Sequence, residues 1–589
     1  MHEFKVWAPG AAKVSVKAGD ALYAMHGPDG HGWWNAAVED AGPGTDYGFQ
    51  VDDDPAIYPD PRSPRQPNGV HGISRVYDHK AFAWHDEHWQ APPLAGGILY
   101  EMHVGTFTPG GTLDSAIGRL DYLFELGITH VELMPVAAYA GDRGWGYDGV
   151  ALFAVTENYG GPDALKRFVD ACHGRGLAVV LDVVYNHFGP VGAYAGKFGP
   201  YLTSRHRTPW GDAVNFEDRG SDEVRRFFCD NALMWMRDFH VDGLRLDAVH
   251  EFVDRSAIHF LELLAAEVEV EAATLGGRLV LIAESDLNDP RVVRPRAAGG
   301  YGIDAEWSDD FHHALFTVLH KEDGWGYYSD FGSLEKLAKS LTHVFVYDGD
   351  YSKYRRRRHG RPVEGLSAHH FIGFIQNHDQ VGNRATGDRL ERVVGMDRAK
   401  VAAGLVLTSP FVPLLFQGEE FAASTPFLYF ADHDEPEMAK LVSEGRKREF
   451  AAFGFGEQEV PDPEVRETFE RSRLNWQETG EGSHKEMLQW YRALIHLRRT
   501  SVSLNDGDMG HIKVRFSEED RWLAMERGGV QVLVNLGDMD ANFEAPGGFR
   551  VALVSRGGVA GDGGRILLPP NTLAVLSSES EQESRMKGA

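Results

Sequence analysis

Short apolar strands alternate with amphipathic helices through the middle of the chain. Eight candidate strands begin at residues 98, 130, 178, 241, 278, 302, 370 and 412. Helical patterns separate most of them, and the two at residues 114–127 and 163–176 end at glycine, as a helix C-cap requires. Strands that alternate with helices favour a parallel sheet, and eight such units close into a barrel. We therefore predict an α/β protein built around a central (β/α)8 TIM barrel.

The two ends of the chain follow a different pattern. Residues 1–92 and about 501–580 alternate apolar and polar positions over short runs separated by Gly, Pro and Asp turns, which is typical of antiparallel strands. We predict three domains: a β module at 1–95, the barrel at 96–500 and a C-terminal antiparallel β domain at 501–589. The last 13 residues, SSESEQESRMKGA, offer little apolar surface to bury, so we expect a frayed tail.

Charge and cysteine content narrow the partners and the compartment. The chain has 87 acidic and 59 basic residues and a net charge of -28, so its surface repels phosphate backbones and anionic headgroups. We expect neither nucleic acid nor membrane as a partner. There are only two cysteines, no leader-like start and no long apolar stretch, which favours a cytoplasmic protein without a disulfide framework. The oligomeric state stays unknown at this point.

Polar side chains follow four of the predicted barrel strands. The third strand ends in DVVYNH (182–187), the fourth in RLDAVH (245–250), the fifth in ESD (284–286) and the seventh in QNHD (376–379). A single acid after a strand is most often a helix N-cap. Four such ends are harder to explain in that way, because the carboxyl ends of barrel strands meet on one face, where active sites lie. The sequence therefore predicts a catalytic rim.

Two of these carboxylates have unlike sequence surroundings. Arg245 and Asp247 alternate with leucines and share one strand face, so the guanidinium is expected to keep Asp247 ionised, as a nucleophile needs. Glu284 follows an apolar run and has no basic neighbour in sequence, which favours the protonated form and a proton-donor role. Two carboxylates that divide the work in this manner are typical of glycosidic bond cleavage.

In this order, and across a barrel with flanking β domains, the motifs DVVYNH, GLRLDAVH, ESD and QNHDQ resemble those of the α-amylase superfamily of retaining glycoside hydrolases and transglycosylases. The resemblance covers essentially the whole chain, because the first module is similar to the immunoglobulin-like, glycan-binding β-sandwich of branching and debranching enzymes. It implies that Asp247 is the nucleophile, Glu284 the general acid/base and Asp379 the carboxylate that stabilises an oxocarbenium-like transition state. Asp182 would orient its neighbours.

The resemblance also implies a set of substrate contacts. Arg245, His187 and His378 would line the subsite of the cleaved sugar, and Tyr147 would stack on its ring. The segments WSDDFHH (307–313) and QNHDQVGN (376–383) are similar to those of superfamily members that cleave the α-1,4 bond next to a terminal trehalose unit. The implied substrates are maltooligosyltrehalose and related α-glucans, and the further binding candidates are His250, Asp309, Asp310, His313, Gln380 and Asn383.

A retaining mechanism predicts a distance between two carboxyl groups, and the sequence also bears on whether a metal is needed. A retaining double displacement requires the carboxyl groups of Asp247 and Glu284 to lie about 5 to 5.5 Å apart. We expect no cofactor and no metal, because the 27 residues between His187 and Asn215 are poor in the acidic oxygen ligands that calcium needs.

Two alternatives remain open: a glycogen branching enzyme with the same three carboxylates, and a non-catalytic glycan-binding protein on a hydrolase scaffold.

Aromatic residues are a second, weaker signal for sugar binding. Trp145 and Trp210 lie in predicted rim loops, where each fits a sugar-stacking platform and a core plug equally well. Trp33 and Trp34 of the first module are expected to pack rather than to hold glycan. The arginine run at 355–358 is interpreted as a solvated loop, since four basic residues carry little weight in so acidic a chain.

Overall fold

The computed structural model describes residues 1–320, 326–451, 460–562, 564–579 and 581. Its centre is a closed barrel of eight parallel strands, paired in chain order, with the eighth strand returning to the first. Each strand lies inside the segment that predicted it, so the prediction of an eight-stranded (β/α) barrel is confirmed. The strands are Leu99–Met102, His130–Leu133, Ala178–Val183, Gly243–Leu246, Val280–Ala283, Ala305–Trp307, Phe371–Gly373 and Val412–Phe416.

Helices surround the barrel, and local signals fix several of their ends. Thr112 and Ser115 form a reciprocal capping box at the start of the first long helical segment, and Gly127 ends that segment in the left-handed conformation. The final helix begins two residues before the predicted His484. The α-helices are Val104–Phe107, Leu113–Ile117, Leu120–Leu126, Gly161–His173, Ser221–Asp238, Phe260–Leu275, Asp309–His320, Leu334–His343, His378–Gly382, Leu390–Val394, Met396–Thr408, Pro436–Ala451, Arg466–Arg471 and Gly482–Thr500.

The interior of the barrel is not uniformly apolar. Glu101 of the first strand pairs in register with Glu132 of the second, and both side chains are buried. Asp182 of the third strand pairs in register with Arg245 of the fourth, and these are buried too. Buried charges require partners or neutralisation. This polar layer lies beneath the carboxyl-end rim, so it limits the charge states that the rim residues can adopt.

Two sheets form the amino-terminal module and share one hydrophobic core. Two strands, His2–Trp7 and Trp33–Val38, form the first sheet. The module contacts the barrel through Trp33, whose Nε1 donates to Glu223 Oε2 at 3.1 Å, while Trp34 is buried. Both tryptophans therefore pack within the fold, as expected. The second sheet contains Ala21–Ala24, Val14–Ala18, Asp46–Val51 and Ser74–Arg75, in that order.

The segment after this module is fastened to the amino ends of the barrel strands by a group that we call the amino-end cluster: Asp86, Trp89, His173, His240 and Asp242. Asp86 Oδ2 contacts Nδ1 of both histidines at 2.8 Å. Asp242 accepts from Trp89 Nε1 at 2.7 Å and contacts His173 Nε2 at 3.0 Å. The cluster joins the connecting segment to the floor of the barrel, opposite the predicted rim.

The C-terminal part of the chain is antiparallel, as predicted. Glu581 lies in the tail that we expected to be frayed, and at this residue the prediction is wrong, because Glu581 is buried and accepts from Ser503 Oγ at 2.8 Å. Residue 580 and residues 582–589 lie outside the described residues. Within the described part of the chain, no helix is both long and apolar enough to cross a bilayer. One sheet contains Ile512–Ser517, Trp522–Arg527, Val530–Asn535, Thr572–Ser578 and Phe549–Val554; the other contains Ala541–Glu544, Arg565–Leu568 and Ala560–Asp562.

Candidate active site

Arg245 is the centre of a cluster at the carboxyl ends of the third, fourth and fifth barrel strands. Its Nη1 donates to Asp182 Oδ2 at 2.8 Å and to Asp247 Oδ1 at 2.9 Å. Its Nη2 lies 3.0 Å from Glu284 Oε2. The face of the guanidinium covers Trp307, with Cζ 4.2 Å from the ring centroid. One rigid, buried cation therefore fixes three carboxylates relative to one another.

Asp247 and Glu284 each have a second contact that orients the carboxylate. Asp247 Oδ2 accepts from Asn186 Nδ2 at 2.7 Å. Glu284 Oε2 accepts from the backbone N–H of Ala248 at 2.8 Å, and Ala248 holds a left-handed conformation with φ of 40°. A positive φ at a non-glycine residue is a strained geometry that the surrounding site must maintain. The sequence places no basic residue beside Glu284, but the fold does, in the form of Arg245.

His378 and Asp379 follow the seventh strand. The backbone N–H of His378 donates to Glu101 Oε2 at 2.8 Å, and His378 Nδ1 lies 2.5 Å from Glu101 Oε1. Asp379 accepts from Asn383 Nδ2. Burial raises the pKa of Asp379, and the charge of Glu284 raises it further, while His378 acts in the opposite direction. Asp379 and Glu284 are therefore electrostatically coupled.

Tyr147 and His187 form a ring-lined wall beside these carboxylates. The hydroxyl of Tyr147 donates to Asp182 Oδ2 at 2.6 Å, and its ring stacks on His378 with centroids 5.0 Å apart. His187 stacks on the half-exposed Trp210 at 4.6 Å with nearly parallel rings. Burial raises the pKa of Asp182 to about 7, although Arg245 opposes that rise. Trp210 thus has the exposure of a platform, whereas Trp145 is buried.

Two cavities meet at Asp379. One, of about 350 Å³, is lined by residues that include Tyr147, His187, Trp210, Asp379 and Asn383. The other has a volume of about 370 Å³. Because Asp379 and Asn383 line both cavities, the two meet at these residues and together form a groove on the rim. The second cavity is lined by Phe316, His320, Tyr327, Tyr328, Asp379, Gln380, Asn383, Arg384, Ala385, Thr386, Asp388, Val393 and Phe450.

The residues of WSDDFHH divide between the groove and the fold. Burial raises the pKa of Asp309 well above its ordinary range, and the charges of Glu284 and Asp379 raise it further, which places Asp309 with the rim carboxylates. Burial also lowers the pKa of His313 to about 3, and its ring lies 4.8 Å from that of Tyr327. A neutral imidazole at this position suits hydrogen bonding to a neutral ligand.

Asp310 is held by one amide side chain and two backbone N–H groups. Its Oδ2 accepts from Asn288 Nδ2 at 2.9 Å and from the backbone N–H groups of Val346 at 2.7 Å and Tyr347 at 3.0 Å. Asp310 is itself buried. The contacts that the structure gives this carboxylate hold the loop that begins after helix Leu334–His343, rather than a ligand.

The remaining binding candidates lie on the rim with protein contacts of their own. His250 Nδ1 accepts from the backbone N–H of Asp286 at 3.3 Å, next to the end of the fifth strand. Gln380 Oε1 accepts from the hydroxyl of Tyr328 at 3.0 Å in the second cavity. Of the binding residues predicted from sequence, Tyr147, His187, Gln380 and Asn383 line the two cavities, whereas the contacts of Asp310 hold a backbone loop.

Two residues of this region were missed by sequence reasoning. Arg355, interpreted as part of a solvated loop, instead pairs with Asp286, with Nη1 2.8 Å from Oδ2. Glu101 holds His378 and was not singled out, although it stands near the carboxyl end of the first predicted strand, where the same criterion applied to the other strands would have found it. Within the described residues, no three His, Cys, Asp or Glu side chains are grouped as metal ligands.

An eight-stranded barrel with this carboxylate rim defines the α-amylase class of glycoside hydrolases. Residues 57–205 match the family model described as the α-amylase catalytic domain, and residues 508–575 match a domain of unknown function, DUF3459. The crystal structure of a putative α-amylase from Salmonella typhimurium superposes with a TM-score of 0.89 at 36% identity, covering 98% of this chain and 97% of that one.

Curated relatives identify the particular family. A malto-oligosyltrehalose trehalohydrolase of Rhizobium sp. (strain M-11) is 49% identical, over 97% of each chain. The enzyme of the same name from Saccharolobus solfataricus is 45% identical, over 84% of this chain and 85% of the relative. A 1,4-alpha-glucan branching enzyme of Corynebacterium jeikeium is 31% identical over only 55% of this chain. The chain belongs to the malto-oligosyltrehalose trehalohydrolase family.

Proposed function

We propose that this protein hydrolyses the α-1,4-glucosidic bond next to the terminal trehalose unit of maltooligosyltrehalose, with retention of configuration, in trehalose biosynthesis. The products are trehalose and a maltooligosaccharide. The observation that carries the proposal is that one buried guanidinium, that of Arg245, contacts both Asp247 and Glu284, on a rim where two cavities meet at Asp379. Relatives of this name at 45 to 51% identity support the choice of substrate.

Asp247 is the proposed nucleophile. Arg245 and Asn186 each bind one of its oxygens, which fixes the orientation of the carboxylate. It attacks the anomeric carbon and forms a covalent glycosyl-enzyme, while the bond to the trehalosyl oxygen breaks.

Glu284 is the proposed general acid and base. It donates its proton to the departing trehalosyl oxygen, and then, as a carboxylate, takes a proton from the water that hydrolyses the glycosyl-enzyme. Asp379, beside the groove, stabilises the positive charge that develops on the sugar ring. Two displacements at one carbon retain the α configuration. We expect the carboxyl groups of Asp247 and Glu284 to lie about 5 to 5.5 Å apart.

The remaining rim residues are proposed to hold the glucan. Tyr147, His187 and Trp210 form a ring-lined surface on one side of Asp379, which suits stacking against the apolar faces of glucose units. His378 and Arg245 contact the sugar that is cleaved. Gln380 and Asn383, which line the second cavity, are proposed to contact the glucan there.

We also propose that the chain forms three domains, at 1–95, 96–500 and 501–589. The proposed ligands are neutral α-glucans. The two cysteines are buried and unpaired, which supports a cytoplasmic location because such thiols persist in a reducing compartment.

The substrate is tested by supplying maltotriosyltrehalose to the purified protein and resolving the products. We expect equimolar trehalose and maltotriose, with the maltotriose appearing first as the α-anomer by proton NMR. Unchanged maltotriosyltrehalose together with a branched product from amylose would identify a branching enzyme instead. Binding of both glucans without turnover would identify a glycan-binding protein.

A further inference from the structure

The floor of the groove contains two buried carboxyl groups on adjacent strands whose surroundings differ. Glu101 accepts from the backbone N–H of His378 and contacts its Nδ1, so both of its oxygens are used by one residue 277 positions away in sequence. Glu132 lies beside Glu101 in register, and neither of its oxygens has a hydrogen-bond partner among the described residues. Burial raises the pKa of Glu132 well above its ordinary range, and Glu101 raises it further.

The two contacts of Glu101 determine what His378 can do. Nδ1 and the backbone N–H both face Glu101, so the ring is fixed in two ways and its Nε2 is the remaining polar atom. Burial alone lowers the pKa of His378, but the negative charge of Glu101, its hydrogen bond to the ring and the charge of Asp379 together outweigh burial and raise it. A protonated ring donates from both nitrogens, which makes Nε2–H a donor.

The other charged groups around His378 come from several elements. Asp379 lies on its own helix, Asp182 on the third strand, Arg245 on the fourth strand and His103 beyond the first strand. Asp379 and Asp182 favour the imidazolium, while Arg245 and His103 oppose it. Glu101 is the carboxylate that contacts the ring directly, and among the charged groups it has the largest influence on whether the ring carries a proton.

We propose that Glu101 is a positioning residue for the proposed hydrolysis: it holds His378 as an imidazolium whose Nε2–H donates to a hydroxyl of the reacting sugar. The inference rests on the proposed function. Its kinetic tests require turnover of an α-glucan, whichever one the protein cleaves, and its spectroscopic test requires no turnover. A donor that is aimed before the substrate arrives costs no reorganisation in the transition state. The contribution should appear in kcat more than in KM.

The variant E101Q removes the negative charge and nearly keeps the side-chain shape: its amide oxygen replaces one of the two acceptors that face His378, and its NH2 group stands in place of the other. We expect kcat/KM at neutral pH to fall about 10-fold to 100-fold. We also expect its decline at high pH to begin at least about one pH unit lower than in wild type, since one contacting charge shifts a pKa by about 1 to 3 units. E132Q is the matched control: it replaces a buried carboxyl that we expect to be neutral, so its pH profile should follow wild type.

A double-mutant cycle with H378Q locates the effect. If Glu101 acts through His378, E101Q should produce no further pH shift in the H378Q background. A shift that persists there would overturn the proposal, because Glu101 would then act on another titrating group. An equal loss at every pH would also overturn it and would leave Glu101 with a purely structural role.

A spectroscopic measurement on the wild-type protein does not depend on how the variants fold. With ¹⁵N-labelled histidine, the signals absent from H378Q identify the ring nitrogens of His378. We expect both nitrogens to be protonated at pH 6.5, where an unperturbed histidine is half neutral. A neutral ring at that pH would contradict the proposal even if maltotriosyltrehalose were cleaved, whereas a protonated ring in a protein that fails to release trehalose would reject only the substrate.

Discussion

The two ends of the barrel each contain carboxylates, imidazoles and aromatic rings, but they use their polar atoms differently. In the amino-end cluster, Asp86 and Asp242 bind the two ring nitrogens of His173 from opposite sides. His240 shares the Asp86 oxygen that His173 contacts, and Trp89 donates to the second oxygen of Asp242. At the carboxyl-end rim, protein contacts hold the carboxylates in place while leaving Asp379 and its neighbours on the walls of two cavities.

The comparison shows that residue types alone do not distinguish a cluster that only stabilises the fold, such as the amino-end cluster, from a catalytic site. Trp89 stacks on His173 at 4.5 Å, just as Trp210 stacks on His187 at 4.6 Å. In the first pair, the indole N–H of Trp89 and both ring nitrogens of His173 are hydrogen-bonded to carboxylates, whereas Trp210 is half-exposed and borders a cavity. What distinguishes the ends is whether oriented polar atoms still face space that a ligand can enter.

Substitution of Asp247 gives the largest expected effect on activity. D247N should lower kcat with maltotriosyltrehalose by about 10⁴-fold or more, because an amide cannot form the glycosyl-enzyme. The thermal unfolding midpoint should stay equal to wild type or rise, since one of three carboxylates around Arg245 loses its charge. Initial rates and a thermal scan measure the two quantities. Wild-type turnover in D247N would remove the mechanism and would favour the glycan-binding alternative.

At the amino end of the barrel, we expect a substitution to lower stability and to leave activity nearly unchanged. H173Q removes a buried imidazole from between Asp86 and Asp242, and leaving such a pair partly unpaired costs about 3 to 5 kcal/mol of the free energy of unfolding. Below the unfolding transition, kcat/KM should stay within about twofold of wild type. Urea unfolding and steady-state rates test this pair of outcomes. A large loss of turnover with unchanged stability would mean that the amino-end cluster communicates with the rim.

The amino-end cluster also predicts a pH dependence of stability. Burial lowers the pKa of His173, but its hydrogen bonds to Asp242 and Asp86 outweigh burial and raise it to about 9. Because this value lies above the ordinary 6.5 of the unfolded chain, the stabilisation is complete below about pH 6.5 and is lost as the pH rises through about 9.

The size of this effect is about 3 kcal/mol, since each unit of pKa difference corresponds to about 1.4 kcal/mol. Unfolding midpoints of wild type and H173Q, measured from pH 6 to 10, should therefore converge at the alkaline end. A gap between the two proteins that is the same at every pH would show that His173 is neutral in the folded state.

Local patterns predict the strands and the ends of the strands, because an apolar run followed by polar residues is written in consecutive positions. The barrel and the motif carboxylates Asp247, Glu284 and Asp379 could be found in this way. Contacts between distant segments could not. The pairing of Glu284 with Arg245 depends on two strands lying side by side, and the pairing of Arg355 with Asp286 depends on a loop folding back over the rim.

The same reasoning explains two further outcomes. Asp310 and Asp309 are neighbours in sequence, yet only the path of the loop after helix Leu334–His343 decides that Asp310 binds the backbone of Val346 and Tyr347. Glu581 lies in a polar tail, and its burial depends on serines some 80 residues earlier. In each case a side chain that looks solvated in sequence is satisfied by partners that only the fold supplies.

Trp210 gives the smallest expected effect and the finest test of the difference between the two ends. W210A removes a half-exposed ring that stacks on His187 and borders the groove, so KM for maltotriosyltrehalose should rise about fivefold, equivalent to about 1 kcal/mol of stacking, with kcat little changed. W210F should retain most of the affinity. The matched change W89A at the amino-end cluster should lower the unfolding midpoint without raising KM. If W210A instead lowered kcat at constant KM, Trp210 would support the position of His187 rather than bind glucan. Its role would then be structural, like that of Trp89 in the amino-end cluster.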